Sequence, residues 1–362
     1  MKNTSSNRAS FRASSRLGHR RRAGFTLLQI LLVVGLIAVL SAILIGQFGR
    51  SRASVRLVEC DMHLKEISLA LETFRQETGH MPANLMELKD KGYVSLETLR
   101  CPADPDLAKH SGDPTYTSYG NYYVLREPMD NGNLPVLVCP FHEKEGEHGA
   151  QAFKGGYSKQ FAARPASLSP SDVSGAVTVT RPGDGVLALP ADKPLELRGG
   201  DHIQTGAGTA TLRFTDGSTA EIEAGSDMTV MQSYINQQRG GALYTLVRQV
   251  GVRINYYVEP GNNFDVATPT ATAGALGTRF TIEVGPSDTV PAGQMETTLT
   301  VEEHSVSLTT LNRSIVVYDT DPPIQAHGQA SKEKEHKPRP DPNTQGKDEK
   351  SDKDKGKGKG KG

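Results

Sequence analysis

The stretch FTLLQILLVVGLIAVLSAILIG, residues 25–46, runs directly into QFGRSRASVRLVECDMHLKEISLALETFRQETG, residues 47–79, and together they decide how the chain is built. The first piece carries no charged residue and has the ~20 residues that a helix needs to cross a bilayer. In the second, Cys60, Leu64, Ile67, Leu71 and Phe74 recur at spacings of four and three, which is one face of a helix. The pattern predicts a single helix that stops near Thr78-Gly79, where Gly79 takes a left-handed cap and Pro82 prevents resumption. At 1.5 Å per residue this is a rod of roughly 80 Å, expected to lie half in lipid and half on a small globule. Residues 1–24 contain Arg16, Arg20, Arg21 and Arg22 and no acid. Basic residues on that flank favour a cytoplasmic N-terminus, with a single pass through the inner membrane and the bulk outside, although Arg50 and Arg52 weaken the asymmetry.

A cleaved secretory signal would need small residues after the apolar run, and Leu40-Ser41-Ala42 matches that need poorly. Arg22-Ala23-Gly24-Phe25-Thr26-Leu27-Leu28 instead resembles the prepilin-type cleavage and methylation motif of type IV pilins and type II secretion pseudopilins. The resemblance implies a prepilin peptidase that cuts after Gly24 and methylates Phe25, and assembly with other pilin or pseudopilin subunits. One position departs from the family: its usual Glu is Gln29 here. A carboxylate in a bilayer is costly unless paired, and the family's Glu is thought to pair with a neighbouring subunit's terminal amine. Gln29 offers hydrogen bonds but no charge. By resemblance a neutral residue fits a minor, tip-located pseudopilin rather than a bulk fibre subunit; equally, Gln29 is read as a tolerated polar residue in an anchor.

The following residues 74–94 resemble the turn and short helix after the long helix of major pseudopilins. Beyond them, Cys101-Pro102 and Cys139-Pro140 resemble the paired Cys-Pro segments of some pilin-like proteins, and residues 122–125 are expected to pair with 136–138 in a small sheet. Three cysteines are too few for a disulfide scaffold. In an oxidising compartment Cys101 and Cys139 are expected to form a disulfide. A zinc set of Cys101, Cys139, His142 and His148 is the second reading, but its C-x2-H-x5-H spacing misses the common ligand patterns, so no metal ligand is assigned. Cys60 lies on the apolar helix face and reads as an inert buried thiol.

Composition points to turn-rich β structure for the rest: 37 Gly, 21 Pro and no Trp among 362 residues. Residues 161–174, rich in Ala, Ser and Pro, read as a linker, and residues 175–320 as an all-β sandwich or roll. Within it, ATLRFTDGSTAEIEAGS, residues 210–226, is a hairpin. A two-residue loop would put its apolar sets on opposite faces. A three-residue loop, Thr215-Asp216-Gly217, pairs Leu212 with Ala220 and Ala210 with Ile222, so the faces agree and Gly217 is left-handed. Asp216 is then a turn-former.

This region resembles the FecR domain in six ordered pieces: residues 200–206, 214–218, 224–226, 246–251, 266–271 and 277–280. In iron-uptake regulators of that family the periplasmic part relays an outer-membrane signal to a sigma factor, through a cytoplasmic segment for which only residues 1–24 are available here. The family otherwise implies an extracytoplasmic binding or signalling module for an unknown ligand, and edge-strand pairing is one mode of reading it.

Phosphate loops, nucleophile elbows and His-Glu-x-x-His motifs are missing from the sequence. Glu221 and Glu223 alternate on one strand face and read as solvated. No catalytic residue and no cofactor are assigned. Residues 321–362, ending KGKGKGKG, are expected to be disordered, with no specific nucleic-acid partner.

The expected fold class is therefore α+β and multi-domain: a basic leader (1–24), a pilin-like helix and small head (25–160), the linker (161–174), a FecR-like β domain (175–320) and a tail (321–362). The expected function is a membrane-anchored, pseudopilin-like envelope protein that displays its β domain for assembly, secretion or binding. A FecR-like sensor, or a carbohydrate- or wall-binding module on the same anchor, is the alternative.

Overall fold

The computed structural model describes residues 27–125, 134–142, 149–153, 157–161, 166–236, 242–287 and 294–327. The chain divides into two compact units, Met1–Arg52 and Ala53–Gly362, and the helix α1 (Leu27–Thr78) has residues in both.

In the first unit the apolar side chains of α1 face outward, from Leu27 at 76% to Leu40 at 51% exposure. Among the described residues no helix is long and apolar enough to cross a membrane. Of the run expected to span, side-chain surroundings are described for residues 27–41, fewer than the ~20 that a span requires.

In the second unit α1 buries the predicted face: Cys60, Leu64, Ile67, Leu71 and Phe74 are each 0–2% exposed. The helix ends as its sequence directs. Gly79 adopts φ +85°, and its N–H donates to the Arg75 carbonyl at 2.8 Å. A short helix α2 (Leu85–Asp90) follows, with Asn84 at its N-cap. Asn84 accepts from the Glu87 N–H, and the Glu87 carboxylate accepts in return from the Ala83 N–H at 2.9 Å. Leu85 and Leu88 bury against the α1 face together with Leu99, Tyr119 and Tyr123.

The strand Pro135–Cys139 is buried at all five positions. It pairs with Gly149–Phe153, which pairs in turn with Tyr157–Phe161. The expected pairing of residues 122–125 with it reduces to one bridge, Tyr123 with Leu137, and a bond from the Val124 N–H to the Val136 carbonyl. The strand has two dry faces. Leu137 and Cys139 join the core beneath α1, while Val138 joins Met231, Tyr244, Leu246 and Ala267 of the β region.

The remaining strands are linked by hydrogen bonds into one 16-stranded sheet that doubles over. The hinge of this folding is the 16-residue strand Ala242–Tyr257. Its first part pairs with Asp227–Asn236 and, in parallel, with Asn263–Ala267; its last part pairs with Thr219–Ile222 and Arg279–Pro286. Between the parts the pairing with Asp227–Asn236 shifts register beside Gly251, and Val252 takes φ +40°. The buried Gln249 amide donates to the Ile282 carbonyl at 2.9 Å and, at the bend, to the Val252 carbonyl at 3.4 Å, and accepts from the Tyr256 hydroxyl at 3.0 Å. Residues from both parts of the sheet share one core, centred on Phe214 and Phe264, whose rings meet edge to face at 5.1 Å.

The hairpin has the predicted register, Leu212 opposite Ala220 and Ala210 opposite Ile222, with Gly217 at φ +90°. Two boundaries need correction. Ala166–Ser174, inside the expected linker, is a strand paired with Leu195–Leu197 and Thr209–Arg213. It tolerates Pro170 because the pairing breaks between Leu168 and Val173, the irregularity at which proline is accommodated. Ile324–His327, inside the expected tail, pairs with Met295–Glu303.

Candidate functional site

Gly24 and Phe25, the expected cleavage and methylation positions, lie outside the described residues, as does His148. Gln29 stands near the start of α1 with an exposed side chain.

The second unit gathers four ligand-type side chains from distant parts of the chain. Cys60 comes from the buried face of α1, Cys101 from the turn after Leu99, Cys139 from the end of its strand and His142 from the turn that follows. Their Sγ and ring nitrogen atoms all lie within 4.8 Å of one another. Cys60, Cys101 and Cys139 are each 0% exposed and His142 is 2%.

The expected disulfide is not formed. Cys101 and Cys139 Sγ are 3.5 Å apart, well beyond the ~2.05 Å of an S–S bond, and all three cysteines are free thiols. The pair was placed correctly as neighbours. Cys60 and the imidazole stand beside them, however, with His142 Nε2 3.4 Å from Cys101 Sγ.

Local structure fixes these positions. Asp104 accepts from the Tyr116 hydroxyl at 2.7 Å, the Ser118 hydroxyl at 2.6 Å and the Asp106 N–H at 2.9 Å, which closes the loop carrying Cys101. Pro102 has no N–H, so the first backbone donor after Cys101 is Ala103, whose N–H points at Cys101 Sγ, 3.4 Å away. The Tyr119 hydroxyl donates to Cys60 Sγ at 3.3 Å.

The electrostatics are divided among the sulfurs. Burial opposes ionisation of Cys101, but hydrogen bonds from Cys139, Cys60 and His142 outweigh it and hold this thiol far below its ordinary value. The interaction with Cys101, reinforced by burial, pushes Cys60 up, and burial does the same to Cys139.

Sequence reading places His142 beside Cys101 and Cys139 in its second, zinc set but misses Cys60, which it reads as an inert buried thiol on the apolar helix face. The available signal was the placement of Cys60 on the helix face that the Cys-Pro turns had to cover.

In the β region, the first resemblance piece contributes Asp201, fully buried and held by Arg181 through two contacts, Nε to Oδ1 at 2.8 Å and Nη2 to Oδ2 at 2.7 Å. The Arg198 N–H donates to the same carboxylate at 2.8 Å. His202 pairs with Asp227. Asp216 bonds to the Ser218 N–H and hydroxyl within its turn, as a turn-former does. These residues tie strands together.

Residues 201–307 match the FecR protein family. The N-terminal part is similar to the type II secretion system core protein G of Escherichia coli strain K12, 29% identical over 131 residues that cover 36% of this chain and 77% of the relative. The core protein G of Pectobacterium carotovorum is 25% identical over 123 residues, covering 33% and 76%. Two crystal structures of a protein from Parabacteroides distasonis described as an anti-sigma factor align with TM-score 0.27 and 17% identity; each alignment covers 36% of this chain and 60% of the solved one. At that TM-score no common architecture follows.

Proposed function

We propose that this chain, which joins a pseudopilin-like N-terminal part to a FecR domain, is an envelope protein that enters a pseudopilus-type assembly and carries its FecR domain on the outer side of the inner membrane. The observation that carries this reading is α1 itself. It is a 52-residue helix with outward-facing apolar side chains in its first part and a dry stripe against a small head in its second. A helix of that kind suits lateral packing in lipid and between subunits at one end and support of a globular module at the other.

In this reading a prepilin peptidase cuts after Gly24 and methylates Phe25. Gln29 packs in the bilayer as a hydrogen-bonding but uncharged residue, so the subunit joins a tip or minor position rather than the repeating fibre. The FecR domain acts by binding, without catalysis of its own, and its extracytoplasmic ligand meets it through the sheet surface or an edge strand.

Intact mass and N-terminal sequencing of the membrane-extracted chain, from cells with and without active prepilin peptidase, test this. The expected mature chain begins at a methylated Phe25 only when the peptidase is active. A chain that keeps Met1 overturns the assembly reading and favours a FecR-type sensor, whose basic N-terminal segment would then remain in the cytoplasm.

A further inference from the structure

The Cys60, Cys101, Cys139 and His142 cluster has no part in the assembly reading above and stands or falls independently of it. Four side chains with soft or imidazole donors converge from three separate regions into one buried spot. A disulfide between Cys101 and Cys139 accounts for two of them and leaves the approach of Cys60 and His142 unexplained. A single tetrahedral ion accounts for all four.

The dimensions agree with that ion. With Zn–S near 2.3 Å, the sulfurs of a tetrahedral site lie about 3.8 Å apart, and a sulfur and an imidazole nitrogen slightly closer. The contacts seen are 3.5 Å between Cys101 and Cys139 and 3.4 Å between Cys101 and His142, with the widest separation in the set below 4.8 Å. Contraction of the longer distances by about 1 Å closes the site.

The surroundings are those of bound thiolates. The Ala103 N–H aims at Cys101 Sγ and the Tyr119 hydroxyl at Cys60 Sγ, and donors of this kind orient metal-bound sulfurs and spread their charge. A divalent cation would bind the three sulfurs as thiolates, with release of their protons.

We propose that Cys60, Cys101, Cys139 and His142 form a closed, four-ligand zinc site that pins the long helix to the Cys-Pro turns of the head. Three thiolates and one neutral imidazole suit a soft or borderline cation in tetrahedral geometry. With every position taken by protein, the ion is structural rather than catalytic. Three thiols bind one Zn2+ as thiolates and lose three protons, so no oxidant or reductant is involved.

The test uses the full chain purified without chelator and then equilibrated with zinc or with Co2+. Elemental analysis should give one metal per chain, and Co2+ should give the intense visible bands of a tetrahedral ion together with thiolate-to-metal absorption in the near ultraviolet. Cys60→Ser should lose most of the metal. His142→Cys should retain one equivalent with an altered cobalt spectrum, which separates loss of a ligand from loss of the fold. His148→Ala should bind as the parent does. Metal content near zero in the unsubstituted chain overturns the proposal, whether peptide mapping then finds a Cys101–Cys139 disulfide or three free thiols. Full metal retention by Cys60→Ser also overturns it.

Discussion

Replacing Asp201 by Ala removes the carboxylate around which the entry to the β region is organised. Asp201 has no exposed side-chain area, and Arg181 has 17%. The carboxylate accepts both guanidinium contacts and the Arg198 N–H, while the Asp201 carbonyl accepts from the Val230 N–H at 2.9 Å. One residue therefore holds Val177–Arg181 to the turn before His202–Thr205. Breaking one partner of a buried pair costs about 3–5 kcal/mol. Arg181 keeps a little access to water, so the lower end applies, and the expected loss is about 3 kcal/mol. For a cooperative unit of this size, each kcal/mol moves Tm by roughly 2–4 °C, which makes a fall of about 6–12 °C. Circular dichroism melting suits the measurement, because the chain has no Trp and its 11 Tyr are spread along it. Arg181→Met combined with Asp201→Ala should recover part of the loss, since the double variant leaves no uncompensated buried charge. A fall below about 2 °C for Asp201→Ala, or a double variant as unstable as the sum of the singles, would refute the claim that this pair organises the region.

Three further outcomes follow from geometry. Gly208→Ala should destabilise severely, by about 3 kcal/mol or more, because a Cβ would sit 2.3 Å from the Ser174 carbonyl oxygen and 2.6 Å from the Ala176 nitrogen; unchanged melting would show that the strands part easily there. Phe74→Ala, at a site with no exposure, should cost about 3–5 kcal/mol, read as lost hydrogen-exchange protection in α2, and unchanged protection would mean that α2 is held by other contacts. Burial works against the Asp227 carboxylate, yet His202 and Gln204 outweigh it and hold its pKa below the ordinary value. Its stabilising contribution is therefore present above the usual carboxylate range near pH ~3.9 and lost as pH falls through the lower folded-state value. His202→Ala should flatten the acid limb of the stability curve, and an identical acid limb would count against the pairing.

Much of this architecture was legible in the sequence where one physical constraint allowed a single answer. The helix stripe needed only a period, and the hairpin loop followed from requiring Leu212, Ala220, Ala210 and Ile222 to share a face. The strand Ala166–Ser174 was illegible because Ser and Pro dominate it; its pairing is supplied by neighbours on both sides, and its broken register makes room for Pro170. Ile324–His327 was hidden for a related reason, because a short edge strand between Pro322-Pro323 and Gly328 has little pattern of its own and depends on Met295–Glu303 for its bonds. The four-ligand cluster was half visible. Cys101 and Cys139 were expected together, but the third sulfur lay on a helix whose apolar face explained it without chemistry, and His142 was outweighed by an unfavourable spacing.

The strand Pro135–Cys139, dry on both sides, has a mechanical consequence. It behaves as a shared wall: the face with Leu137 and Cys139 rests on the helix core, and Val138 rests on Tyr244 and Leu246. The FecR domain therefore cannot swivel like a flag on a cord. A tug on it loads the wall, and through the wall the buried stripe of α1, with no slack between them. Severing the chain before Ala166 would likewise leave Tyr122, Val124 and Val138 as a bare apolar scar on the head.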